Sequence, residues 1–163
     1  MKKVSTLFLQ VVLVLVGIGA LAILLIEPRY EGVNVNRHAT WVQIYFQDPF
    51  LAYAYAGSIA FFTALYQGFK LLGLMRRGEI FSLGAVRALR TVKICAMVII
   101  AFLLGAEVFF GTIQKAKGED IAGGVMMGLM LIFISAVVGT TAAVFERTLQ
   151  SAVEMKSEND LTV

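Results

Sequence analysis

Charge, proline, histidine and cysteine are all scarce in this chain of 163 residues. Only 15% of its residues are charged, where a soluble domain of this size carries about 25%. That excludes an ordinary soluble globular domain. Two prolines argue against a loop-rich or disordered chain. The single cysteine, Cys95, excludes an intrachain disulfide framework. With one histidine, His38, no zinc or haem motif can be written, so neither a metal nor a cofactor is expected. No nucleophile–base arrangement, phosphate loop or pair of catalytic carboxylates can be assembled, and an enzyme is not expected. Intramembrane chemistry at Glu107 and the tyrosines is the one catalytic route left open.

What the chain has is apolar surface. Hydrophobic residues make up 59% of it, and the mean hydropathy is +0.82. A bilayer core about 30 Å thick needs roughly 20 apolar residues in a helix. The gaps between charges supply four such stretches, at residues 4–26, 49–69, 94–114 and 121–145. Their apolar runs are continuous rather than alternating, so they predict helices and not barrel strands. The first resembles a secretory signal in having Lys2 and Lys3 ahead of an apolar run. The run is longer than a signal core, and it is read as a retained span. The expectation is an all-α, four-transmembrane-helix bundle forming one integral membrane domain, with residues 146–163 as a cytoplasmic tail.

Orientation follows from the flanks. Ten basic residues lie in the N-terminus, the 70–93 loop and the tail. Four lie on the other side: Arg29, Arg37, Lys115 and Lys117. The positive-inside rule places both termini and the 70–93 loop in the cytoplasm. The net charge of +3 is then a signal of topology rather than of an acidic substrate.

The polar segments differ in organisation. The outer segment 27–48 carries Trp41, Tyr45 and Phe46, an interfacial aromatic anchor; a ligand-sensing loop is the alternative. Asp48 and Pro49 read as cap and first turn of the second span. In the inner loop, Ser82 can cap a helix starting at Leu83. Ala85, Ala88, Leu89 and Val92 then share one face, and Arg87, Arg90 and Thr91 the other. This predicts a short amphipathic cytoplasmic helix before the third span. Its basic face suits anionic headgroups, or a cytoplasmic protein: Arg76, Arg77, Phe81, Ser82, Arg87, Arg90, Asp160 and Leu161 are the docking candidates. The tail is expected to continue the fourth helix for two or three turns.

Within the spans, Glu107 is the one ionisable side chain of acid or base type. A carboxylate there costs at least ~2.5 kcal/mol on insertion scales, and such residues turn toward the bundle interior or a water pocket. By depth, its candidate partners are Tyr53, Tyr55 and Ser58. A proton or cation site is one reading; a structural hydrogen bond is the other. Small residues recur at intervals of four on the second span (Ala52, Ala56, Ala60, Ala64, Gly68), and Gly124 and Gly128 form GxxxG on the fourth. Such ridges let helices approach closely in lipid, either inside the bundle or between copies in a homo-oligomer. Met126, Met127 and Met130 cluster on the fourth span. Without cysteine or histidine beside them they read as adaptable packing rather than a copper site.

Two motifs carry a family resemblance. The first is Arg77-Gly78-Glu79-Ile80-Phe81-Ser82 followed by Val86-Arg87-Ala88-Leu89-Arg90. The second is the ending Glu158-Asn159-Asp160-Leu161-Thr162-Val163. Together they resemble the small bacterial membrane proteins grouped as domain of unknown function 2975. The resemblance implies a four-helix bacterial inner-membrane protein without assigned activity, and no catalytic residue can be carried over. Members are often encoded beside a small Cro-type helix-turn-helix regulator. The resulting expectation is a non-enzymatic membrane partner or regulator of a cytoplasmic protein of that kind, itself making no direct contact with nucleic acid. A proton- or cation-coupled carrier or channel using Glu107, and an accessory or scaffold subunit of a membrane complex, are the alternatives.

Overall fold

The computed structural model describes residues 2–35, 40, 42, 45, 49–114 and 121–160. Four α-helices account for nearly all of them: α1 (Lys2–Val35), α2 (Pro49–Arg77), α3 (Leu83–Phe109) and α4 (Ala122–Asp160). Each is long and apolar enough to cross a membrane. Among the described residues there is no strand. His38, Trp41, the Asp48 cap and Leu161 lie outside the described residues.

Consecutive helices run antiparallel and pack as a row. α1 packs on α2, α2 on α3, and α3 on α4, and among the described residues non-consecutive helices make no close backbone approach. The register is read from close pairs. Leu13 reaches Gly68 and Leu65 reaches Gly17 between α1 and α2. Phe102 reaches Gly57, and Leu74 reaches Gly84, between α2 and α3. Ala96 meets Gly139, Glu107 meets Gly128 and Phe110 meets Gly124 between α3 and α4. The start of α1, the α2–α3 turn and the end of α4 therefore share one end of the row.

Burial is concentrated at that end. The residues buried there are Ala85, Val86, Ala88, Leu89, Cys95, Ala96 and Ala142, with the polar Thr6, Gln10 and Glu146; Pro28 is buried toward the other end. Small side chains dominate this list because helices in lipid gain by close backbone approach rather than by hiding apolar area. Large apolar side chains on α1 and α4 stay exposed, as lipid-facing surfaces require.

Local chemistry explains the element ends. α2 stops at Arg77, and Gly78 turns the chain with φ +78°, a left-handed conformation that glycine adopts at no steric cost. The Glu79 amide returns to the Leu74 carbonyl at 3.0 Å. Ser82 then caps α3, its hydroxyl accepting from the Ala85 amide at 3.3 Å, as the sequence led us to expect. The short amphipathic helix expected ahead of the third span is not a separate element. α3 runs without a break from Leu83 to Phe109, because nothing between Leu83 and Ile94 interrupts its hydrogen-bond ladder. Its buried stripe of Ala85, Ala88 and Leu89 continues directly into Cys95 and Ala96. α3 ends in one π-helical turn, Phe110–Gln114. α4 runs on to Asp160, about four turns beyond the expected end of the span and further than the two or three foreseen.

α1 is also longer than its apolar stretch, continuing through Pro28 to Val35. A proline inside a helix has no amide to give the carbonyl four residues back. Here that carbonyl belongs to Leu24, and it accepts instead from the Tyr55 hydroxyl of α2 at 3.3 Å. Tyr45 donates to the next carbonyl, Leu25, at 3.0 Å. In lipid, side chains of neighbouring helices are what re-satisfy a backbone group freed by proline.

Candidate functional site

Among the described residues, the buried charged side chain is Glu146. It lies on α4 immediately after the last residue of the expected span, with only 5% of its surface exposed. Arg90 and Lys93, on the first turns of α3, both donate to it. Arg90 Nε is 2.7 Å from Oε1, and Lys93 Nζ is 2.5 Å from Oε2. The cationic side chains remain 54% and 32% exposed while the carboxylate does not. Each carboxylate oxygen thus has its own charged donor, the condition under which a buried charge is tolerated. Arg90 and Lys93 are three residues apart and so emerge from neighbouring positions on one side of α3.

The same end carries most of the docking candidates. Arg76, Arg77, Phe81, Arg87 and Arg90 are exposed. Ser82 is occupied in capping α3, and Asp160 is the last residue of α4. Arg90 is committed through its Nε to Glu146, which leaves Arg76, Arg77 and Arg87 as the docking candidates among the cations that form no ion pair among the described residues.

Glu107 occupies a different environment. Its carboxyl lies directly on Gly128 of α4, and a Cβ there would overlap Oε1. The residue is half-buried. The three side chains expected beside it face elsewhere. Tyr53 donates to the Phe102 carbonyl at 2.8 Å, Tyr55 to Leu24, and Ser58 to the Tyr55 carbonyl at 2.7 Å. By depth they were reasonable partners, but they lie on α2, whereas Glu107 is turned toward α4.

Between α1 and α3, over the face of α2, lies a cleft of ≈ 270 Å³. Phe50, Tyr53, Phe61, Phe62 and Phe102 supply its aromatic wall, with Ala20 and Leu24 across from them. It exists because α1 and α3 both rest on α2 without approaching each other. Glu107 is not among its lining residues.

The small-residue ridges divide. Gly124 receives the Phe110 ring and Gly128 the Glu107 carboxyl, so GxxxG serves the α3–α4 contact. On α2, Gly68 meets Leu13 of α1, Ala60 and Ala64 are half-buried, and Ala52 and Ala56 are exposed. Met126, Met127 and Met130 are exposed. Among the described residues no three of His, Cys, Asp and Glu come together as metal ligands do.

Sequence reasoning missed Glu146, grouping it with the tail, and Gly57. Three glycines outside the GxxxG pair receive close interhelix contacts. Gly57 lies under the Phe102 ring, Gly105 under the Tyr53 hydroxyl, and Gly139 against Ala96. A signal for Glu146 existed. The third span begins at Ile94 and the fourth ends at Phe145, so an antiparallel hairpin places the flanking Lys93 and Glu146 at one depth.

Residues 29–163, which include the inner-loop motif and the Glu146 cluster, match the family described as protein of unknown function DUF2975. The chain belongs to the DUF2975 family. It is also similar to the uncharacterized membrane protein YoaS of Bacillus subtilis (strain 168), at 38% identity over 165 residues, covering 100% of both chains. No solved structure gives a significant match. This DUF2975 member is therefore a membrane protein, with four apolar helices in an all-helical fold.

Proposed function

We propose that this protein is a non-enzymatic protein of the bacterial inner membrane that serves as the membrane partner of a cytoplasmic protein, with both termini and the 70–93 loop inside. The observation that carries this reading is the ordering of one end of the molecule. Glu146 clamps α3 to α4 there through Arg90 and Lys93, and the buried core lies at the same end. Arg76, Arg77, Phe81 and Arg87 are exposed around it. A helical platform presenting cations and one aromatic ring suits an acidic protein surface, because the backbone that carries them is already ordered and only the side chains lose freedom on binding. The charge asymmetry supports the cytoplasmic placement. The type of partner, a small helix-turn-helix regulator, rests on the family resemblance.

Crosslinking in intact cells followed by purification under denaturing conditions tests it. The Arg76→Gln/Arg77→Gln/Phe81→Ala variant, and separately a chain lacking residues 157–163, are expected to lose the crosslinked cytoplasmic partner while still reaching the membrane. Unchanged recovery with both variants would overturn the reading. Reporter fusions after Val163 and within 36–40 check the orientation: the terminal fusion is expected to report cytoplasm and the loop fusion the outside.

The carrier or channel reading has less support. It needs a polar cavity at Glu107, whereas the cleft is apolar and Glu107 lies outside it. The accessory-subunit reading keeps the exposed apolar faces of α1 and α4 as contact surfaces for another chain or a second copy.

A further inference from the structure

The Glu146 cluster has an excess of positive charge on its exposed side. Arg90 and Lys93 share a single carboxylate. Arg147 follows Glu146 directly, is exposed, and forms no ion pair among the described residues. In antiparallel helices facing each other, the position after Glu146 emerges on the same flank of the α3–α4 seam as Arg90 and Lys93. Arg87, one turn ahead of Arg90, is exposed as well. Three cations thus converge against one buried acid, with a fourth close by.

The surface immediately beyond this cluster is apolar. Ile94 and Met97 follow Arg90 by four and seven residues on the same side of α3, Val144 precedes Arg147 by three on α4, and all three are exposed. The cluster lies where an apolar helix surface gives way to a charged one, which is the level of lipid headgroups in a membrane protein.

We propose that Arg90, Lys93 and Arg147 form a binding site for the phosphate of an anionic phospholipid, seated at the seam between α3 and α4 with its chains against Ile94, Met97 and Val144. Glu146 is the positioning residue. By holding Arg90 Nε and the Lys93 ammonium it fixes both side chains in place and leaves the outer nitrogens of the Arg90 guanidinium for a phosphate, the geometry in which arginine binds that group best. Prepaid ordering of this kind raises affinity without a new contact. The proposal needs only that this end lies at a bilayer surface, so it stands or falls independently of insertion direction and of any protein partner.

The test uses the intact protein in nanodiscs of phosphatidylcholine with or without phosphatidylglycerol, which presents the same lipids on both faces. Two readouts are taken: lipid retained through native mass spectrometry, and the thermal unfolding midpoint. Phosphatidylglycerol is expected to be retained in preference to phosphatidylcholine and to raise the midpoint by a few degrees, as a ligand of the folded state does. Arg147→Gln, which leaves the ion pairs intact, and Arg90→Lys, which keeps a charge for Glu146 but removes the guanidinium fork, are each expected to lower retention several-fold. Arg76→Gln/Arg77→Gln, at the same end of the molecule but off the seam, is expected to leave retention unchanged. Equal retention of the two lipids would overturn the proposal. So would an equal loss in the Arg76/Arg77 variant, which would mean a general charge effect. A midpoint shift reproduced by inorganic phosphate in phosphatidylcholine discs would assign the site to a free anion and overturn the lipid.

Discussion

The Tyr55 hydroxyl of α2 donates to the Leu24 carbonyl of α1, the carbonyl that Pro28 leaves without its helical amide. The two features explain each other. Without the tyrosine, the proline would leave a backbone acceptor exposed to hydrocarbon; without the proline, the carbonyl would already be taken by its own helix. Interhelical hydrogen bonds in membrane proteins are worth about 0.6 kcal/mol on average and up to ~1.7.

Tyr55→Phe is therefore expected to destabilise the protein by about 1 kcal/mol. In a Pro28→Ala background, where residue 28 supplies its own amide, the same change is expected to cost much less. Unfolding of all four variants in mixed micelles gives the coupling directly. Equal costs in both backgrounds would show that Tyr55 serves something other than the proline gap.

Gly128 and Glu107 form a second such pair. A Cβ at position 128 would overlap the Glu107 carboxyl oxygen, so Gly128→Ala must displace the side chain or separate α3 from α4. Overpacking of this kind costs roughly 1–3 kcal/mol. Glu107→Ala removes the overlapping atoms, and the double variant is expected to recover most of the loss. Gly123→Ala, where nothing lies within 4 Å, is the control and is expected to be neutral. If Gly128→Ala alone is also neutral, Glu107 has room to turn away and the contact does not set the α3–α4 register.

Ser82 offers a smaller change. Its hydroxyl is the side-chain cap of α3, and an N-cap serine replaced by alanine costs about 1 kcal/mol. Ser82→Ala is expected to lower stability by that amount and Ser82→Asp to restore it, read from the same unfolding transitions. Amide exchange at Ala85 should rise modestly in the alanine variant, since its amide loses the hydroxyl and keeps only the Ser82 carbonyl as acceptor.

The spans were legible in the sequence because a charge inside hydrocarbon is expensive, so gaps between charges mark the helices. The Ser82 cap and the Pro49 start were legible because caps and first turns are local chemistry. Which face of a helix meets which neighbour was not. Glu107 was matched by depth to Tyr53, Tyr55 and Ser58, but depth fixes height and not direction, and direction puts Glu107 on Gly128. Glu146 was hidden because its partners are more than fifty residues away and a glutamate after an apolar run reads as an ordinary tail charge. The α3–α4 register gives it a second signal. Glu107 and Gly128 are equidistant from the centre of the 115–120 segment, as are Ala96 and Gly139, and Arg90 and Glu146 nearly so. Counting outward from the middle of the segment between two adjacent spans therefore recovers the contacts of a membrane hairpin.

The Glu146 clamp yields a prediction about coupling among three charges. Removing one partner of a buried ion pair strands the others, at a cost of ~3–5 kcal/mol when all are buried. Here only the carboxylate is buried, while Arg90 and Lys93 remain half in contact with solvent and are partly hydrated without it. Glu146→Gln is expected to cost about 1–3 kcal/mol, since the amide keeps the shape but loses the charge and one acceptor. Single Arg90→Gln or Lys93→Gln substitutions are expected to cost less than Glu146→Gln, because each leaves the carboxylate one cation. Arg90→Gln and Lys93→Gln together are expected to exceed the sum of the two, since they leave a buried carboxylate with neither. Double-variant unfolding measures this. Strict additivity would mean that Glu146 is reached by water and that the clamp is not what holds the ends of α3 and α4 together.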